Sequence, residues 1–188
     1  MASIVRLAAA CALSVMATGC AQLLAPPYTP DYEGMDALKR TGPDKAAVAA
    51  FQPTDPKAGV NKISLRGATL LSGSGSFAKY LENALISDLK EIGVYDSAAR
   101  TRIDATLLGN DIAIGQIATG TGFIEIELTV TRDGTQRLRK TYAARTSFES
   151  SFAGAVAIPK GQLEYANLVR TLLRQVYTDP AFIAAVGR

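Results

Sequence analysis

Ile124-Glu125-Ile126-Glu127-Leu128-Thr129-Val130-Thr131-Arg132-Asp133-Gly134-Thr135-Gln136-Arg137-Leu138-Arg139 carries the pattern of a β-hairpin. Ile124, Ile126, Leu128 and Val130 fall on one side of a period-two strand, and Glu125, Glu127, Thr129 and Thr131 fall on the other. One face is core and one is wet, which is the mark of an antiparallel sheet covered on a single side. Asp133-Gly134 marks the turn. A two-residue loop would pair Leu128 with Arg139 and mix apolar and charged residues on one face. A three-residue loop, with a type I turn at Arg132-Asp133 and Gly134 left-handed, pairs Leu128 with Leu138 and Glu127 with Arg139. The alternation therefore predicts the longer loop.

Upstream, Ile103, Ala105 and Leu107 alternate on odd positions while Ile112 and Ile114 continue on even ones. A bulge near Gly109-Asn110 would restore the phase. Farther back, Ala46 to Phe51 and Lys62 to Ala68 read as short strands. Between them and the long strands, Phe77, Tyr80, Leu81, Ala84, Leu85, Leu89 and Ile92 recur at three and four, the spacing of an amphipathic helix. Ser76 or Ser74 can cap its start and Gly93 can end it.

Downstream, the strand through Leu138, Tyr142 and Phe148 leads to the connection from Ser150 to Ile158, expected to return beneath the next helix. Pro159 suits that helix's first turn. Its buried face is predicted from Leu163, Ala166, Val169, Leu172, Leu173 and Val176. A short helix should open at Asp179-Pro180 and end at Gly187. The order of elements predicts an α+β fold over residues 46–188. The expected form is a two-layer sandwich with an antiparallel-rich sheet of about five strands and two main helices on one face.

The amino terminus has another character. Behind Arg6, the apolar run Leu7 to Ala17 is too short to cross a bilayer and has the length of a signal-peptide core, so residues 1–19 read as an export signal. Ala17-Thr18-Gly19-Cys20 resembles the lipobox of bacterial lipoproteins. That resemblance implies cleavage before Cys20 and lipidation of Cys20, with a palmitate-type acyl modification. The position three before the cysteine, usually Leu, is Ala17. Ala17-Thr18-Gly19 also fits an ordinary cleavage site, which would release a soluble periplasmic domain. Ala21 in place of Asp resembles the sorting signal for the outer membrane. Six of the eight prolines lie between Pro26 and Pro56, so residues 20–45 read as a lipidated, proline-rich tether. Extended at roughly 3.1 Å per residue, it would reach up to about 75 Å.

Composition narrows the chemistry. The chain has two cysteines and no histidine. Cys11 would leave with the signal and Cys20 would carry lipid, so no thiol remains for a metal or a nucleophile. The net charge of +3 falls to +2 once Arg6 is removed, which gives no footprint for nucleic acid. No cofactor or metal is implied.

Three groups of residues are candidates for function. Ser76-Phe77-Ala78-Lys79 matches Ser-x-x-Lys, but the further elements of penicillin-binding chemistry are missing, and Ser76 serves better as a helix cap. Glu125 and Glu127 stand about 7 Å apart on one strand face, a spacing used in glycoside hydrolysis. Neighbouring Arg137 and Arg139 would keep both ionised. Arg137, Arg139 and Arg145 crowd one hairpin, and with Phe152 they are the candidate partner-binding residues.

The lipobox, the proline-rich stretch, the order of elements and the segment Phe77 to Tyr95 together resemble small bacterial envelope lipoproteins of the YajG and LpoB kinds. Their domains are similar to the N-terminal domain of TolB. The resemblance implies a non-enzymatic outer-membrane lipoprotein, held to the membrane by its N-terminal lipid at the periplasmic face. Its role would be an interaction or regulatory module for an envelope protein, with cell-wall assembly as one setting and an anionic glycan as another possible ligand. The alternatives are an envelope enzyme acting on a glycan or lipid through Glu125 and Glu127 or Ser76, and a soluble periplasmic binding domain.

Overall fold

The structure, a computed structural model, describes residues 22–115 and 118–187. The proposed signal peptide and Cys20 lie outside the described residues. In chain order the elements are β1 (Gln22–Leu24), α1 (Tyr32–Arg40), β2 (Ala46–Val48), β3 (Ile63–Leu65), β4 (Ala68–Leu71) and α2 (Phe77–Glu91). They continue with β5 (Thr101–Ala113), β6 (Thr119–Arg132), β7 (Thr135–Glu149), α3 (Gly154–Thr178) and α4 (Pro180–Val186). The fold is α+β, as the element order predicted.

The strands form two sheets instead of one. The larger runs β2-β5-β6-β7, with β2 parallel to β5 and the three long strands antiparallel. The smaller runs β1-β4-β3, with β1 parallel to β4. The predicted strand Lys62 to Ala68 is in fact a hairpin, turned at Arg66 and Gly67, both at positive φ. β4, between β3 and β1, takes the amino-terminal strand as its second partner.

Alternation decides which face of the large sheet is covered. Ile103, Ala105, Leu107, Ile124, Ile126, Leu128, Val130, Tyr142 and Ala144 are buried on one side. α2, α3 and α4 supply the facing layer through Phe77, Leu81, Leu85, Leu168, Val169, Leu172, Val176 and Phe182. Burying side chains of this size contributes about 1.5–3 kcal/mol each. α2 begins on Ser76, whose Oγ accepts the Lys79 N–H, and Gly93 follows its end at φ 76°.

The β5 bulge lies between Leu107 and Gly109, one residue from the predicted place, and leaves Leu108 exposed. The hairpin is corrected. Arg132 pairs with Thr135, so the loop has two residues, Asp133 and Gly134, at φ 51° and 78°. This is the turn whose twist suits a hairpin, with both central residues left-handed. One step later a register shift between Val130 and Thr131 sets Leu138 opposite Val130, and Lys140, now opposite Leu128, turns its ammonium to Asp179 at 2.9 Å. One extra residue on β7 has the same effect on side-chain direction as one extra residue in the loop. Arg139 accordingly points to the wet face, where its Nη2 donates to Glu127 Oε1 at 2.7 Å.

Two expectations for the following segment are also revised. α3 starts at Gly154, so Pro159 lies inside the helix and not at its first turn. Phe152 and Leu163 are exposed where burial was expected. The last helix opens on Asp179, whose carboxylate accepts the Ala181 N–H, as the Asp-Pro pair predicted.

The turn geometry is testable at Asp133. A β-branched residue held at positive φ costs about 1–2 kcal/mol, so Asp133→Val should lower urea stability by that amount while Asp133→Gly leaves it nearly unchanged. In a three-residue loop Asp133 would be right-handed, and the two variants would differ little.

Candidate functional site

The amino-terminal segment is a docked strap and not an extended tether. β1 lies along β4 with Gln22 opposite Thr69 and Leu24 opposite Leu71. The prolines that follow make a short crossing, and the chain then forms α1, which buries Met35 and Leu38 against the rest of the core. α1 approaches α3 so closely that a Cβ on Gly34 would stand 3.3 Å from the Arg174 backbone and 2.9 Å from Asp31 Oδ2. Only glycine fits there. The expectation that residues 20–45 stand the domain away from its anchor therefore fails from Gln22 onward, because this stretch has apolar side chains to bury.

Polar contacts fasten the strap at four points. Gln162 Nε2 donates to the Leu24 carbonyl at 2.6 Å, and the Tyr80 hydroxyl donates to the Pro26 carbonyl at 2.8 Å. Arg174 grips Asp31 with both arms of its guanidinium, at 2.6 and 2.7 Å. That hydrogen-bonded pair holds the Asp31 carboxyl below the usual range. The fourth point is the most buried. Tyr28 on the strap and Tyr177 on α3 both donate to Asp88 Oδ2 on α2, each at 2.7 Å.

Asp88 has no solvent exposure and its Oδ1 has no partner. Burial pushes its pKa up to about 6, with the Tyr177 and Tyr28 hydrogen bonds pulling the other way. Burial and the facing carboxylate raise both phenols far above their ordinary range. The cluster thus joins strap, α2 and α3 by one carboxylate. Between strap and α2 lies an apolar cavity of about 500 Å³, bordered by Leu24, Pro26, Tyr28, Tyr80 and Ala84.

The sequence-predicted residues fall in separate places. Arg137, Arg139 and Arg145 lie exposed on β7, the edge strand of the large sheet. Arg139 is tied to Glu127, and Arg145 stacks on the Phe123 ring at 4.2 Å from its centroid. Phe152 lies beyond the far end of β7, just before α3, and is not brought together with Arg137 or Arg139. The Arg139 hydrogen bond holds Glu127 in its ionised form, a poor state for a proton donor. Neither Glu125 nor Glu127 lines any of the described cavities. Ser76 borders a cavity of about 270 Å³, but its hydroxyl caps α2, and the Lys79 ammonium turns to Glu82. No serine–base pair is assembled. Among the described residues no His, Cys, Asp and Glu cluster could hold a metal, and no helix is long and apolar enough to cross a membrane.

The sequence reading missed Tyr28, Asp31, Asp88 and Arg174. Asp88 carried a signal, because it stands four residues after Ala84 on the buried stripe of α2, where a carboxylate needs donors. Asp31 and Glu33 ahead of Met35 and Leu38, with Lys39-Arg40 and Gly42-Pro43 behind, also mark a short helix.

No family model matches this chain, and no curated protein matches it. Several solved structures are similar to it, among them the following two. One is a DUF330 protein from Xanthomonas campestris, 14% identical, with a TM-score of 0.49 over 88% of this chain and 92% of that one. The other is described as "a putative lipoprotein" from Caulobacter crescentus, 10% identical, with a TM-score of 0.48 over 81% of this chain and 97% of that one.

The Asp88 cluster sets a pH dependence. A carboxyl at 3.8 when unfolded and about 6 when folded binds its proton more tightly in the fold. Its contribution is complete below the unfolded value and lost as pH rises through the folded one. Wild type should therefore gain stability between pH 7 and pH 5 relative to Asp88→Asn, by about 1.4 kcal/mol. Urea unfolding at the two pH values reads this directly; equal slopes for both proteins would refute the assignment.

Proposed function

We propose that this chain is a lipid-anchored envelope protein, attached through Cys20 at the periplasmic face of the outer membrane, and that it acts as a non-enzymatic docking module for an envelope partner. The observation that carries the reading is the long free edge of the large sheet. β7 has fifteen residues and no strand paired on its outer side among the described residues. Arg137 and Arg145 have no carboxylate partner there. An unpaired edge invites a strand from another chain, and exposed arginines select an acidic one. Cell-wall assembly is one setting in which such a partner would be met, and an anionic glycan is a second ligand of the same charge.

The arrangement supports recruitment over chemistry. The buried carboxylate, Asp88, is consumed in holding the strap, and the helix-capping hydroxyl of Ser76 is hydrogen-bonded to no base, Lys79 and Glu82 being paired with each other. What the lipid and the sheet edge offer together is local concentration of a docking surface at one membrane.

Radiolabelled palmitate should enter the wild-type chain and not Cys20→Ala. In intact cells, cross-linking should capture one envelope protein with wild type, and capture should fall in the Arg137→Glu, Arg145→Glu double variant. Equal yields from wild type and the charge-reversed chain would defeat the docking reading even where the lipid is present.

A further inference from the structure

The docked strap fixes where the lipid would be. Cys20 precedes Gln22 by two residues, and a chain spans at most about 3.6 Å per residue, so its α-carbon lies within about 7 Å of Gln22. Gln22 pairs with Thr69 at the start of β4, next to the Arg66-Gly67 turn. Arg66 reaches from that turn to three carbonyls on two other connections: Ile114 at 2.8 Å, Ser151 at 2.8 Å and Phe152 at 2.6 Å. The same end holds the Ser150 N–H bond to the Ala118 carbonyl, beside the start of β6. The point of lipid attachment, the Arg66 turn and Phe152 therefore belong to one end of the molecule. The Asp133-Gly134 hairpin lies at the other end of β6, about 40 Å away at 3.3 Å per residue.

Large apolar side chains are exposed at this end. Phe152 is 79% exposed, Leu163 61% and Leu24 58%, and Val156 is also exposed. Val156 and Leu163, seven residues apart, share one side of α3, and Phe152 lies in the connection two residues before the helix begins. Gln162, beside Leu163, binds the Leu24 carbonyl and so ties that helix to β1. Arg66 has no carboxylate partner among the described residues and is a positive charge held by carbonyls within this patch, while Lys160, paired with Glu149 at 3.0 Å, stands beside Leu163 at its border. An aromatic and several aliphatic side chains around an arginine are what an interfacial surface presents to acyl chains and lipid phosphates.

We propose that the lipid-bearing end is itself a bilayer-contact surface, with Leu24, Phe152, Val156 and Leu163 at the boundary of headgroups and acyl chains and Arg66 at the phosphates. The domain then lies on its membrane with the β7 hairpin pointing away from it. This rests on the lipidation of Cys20 proposed above, since the short reach from Cys20 to Gln22 brings this end, and no other, to the bilayer.

The test uses the full chain, made in cells that lipidate it and checked by its amino-terminal mass. An acylated Cys20 has no free thiol, so Phe152→Cys and Gln136→Cys each supply a single site for an environment-sensitive fluorophore, both at exposed positions. The proteins are reconstituted into vesicles of phosphatidylethanolamine and phosphatidylglycerol carrying nitroxide on their acyl chains. Emission from position 152 should shift to the blue and be quenched by the nitroxide, while position 136, near the hairpin tip, keeps an aqueous spectrum and its full intensity. A chain of lipidated mass that floats with the vesicles but is quenched no more at 152 than at 136 overturns the contact surface and leaves the anchor standing. A chain lacking the acyl mass, and failing to float, overturns both.

Discussion

One-sided burial of the β5-β6-β7 meander is the constraint on which the remaining architecture depends. Three strands of thirteen to fifteen residues present one continuous apolar face, and a slip of one residue would turn every inward side chain to water. Both irregularities in the meander serve this constraint. The bulge at Leu108 lets Leu107 and Ile112 face the same way, and the shift next to Val130 turns Leu138 and Tyr142 of β7 to the side that Val130 and Ile126 of β6 occupy. A tight Asp-Gly turn and an inward Leu138 are compatible only because that extra residue lies between them. The helical layer can then be continuous, with Leu168, Leu172 and Val176 along one covered surface.

The second level of organisation hangs on Asp88. A carboxylate on the buried face of α2 is unfavourable unless donors reach it, and the donors come from two different parts of the chain, Tyr28 and Tyr177. The strap is therefore specified by a buried polar requirement as well as by Met35 and Leu38. The bidentate Arg174 and Asp31 pair adds orientation, because its planar fork fixes α1 against α3 at the place where only Gly34 leaves room.

How much of this could be read from the residues depends on the range of the forces involved. Local periodicity gave the long strands, α2 with its Ser76 cap and Gly93 stop, and α4 on Asp179, since each is written within a few neighbouring positions. The turn at Asp133 is not decided by alternation, because two different local insertions satisfy the same pattern and only the twist preference of the hairpin separates them. The strap was lost for a different reason. Its prolines deny it regular hydrogen bonding over Pro26 to Pro30, yet what holds it is tertiary: Leu24 with Gln162, Tyr28 with Asp88 and Asp31 with Arg174 are separated by 60 to 143 positions. Pattern within a window cannot report such pairs. Of the candidate site, the arginines of β7 were legible as exposed strand residues, whereas the separation of Phe152 from Arg137 and Arg139 needed the connectivity of Arg66.

That separation changes what a lipid at Cys20 would do. A free tether would give the module reach and random orientation, and its effective concentration would fall as the linker lengthened. A strap folded to within two residues of the cysteine removes the reach and supplies orientation in its place. The hairpin end of the sheet, with Arg137 and Arg139, then points away from the bilayer by the length of β6, and Arg145, several residues nearer the anchored end, completes an edge that rises from the membrane. A partner meeting such an edge has only to be correctly placed in two dimensions. The cost is that it must come close to the membrane, so the partner this geometry favours is one that is itself held at, or delivered to, the same surface.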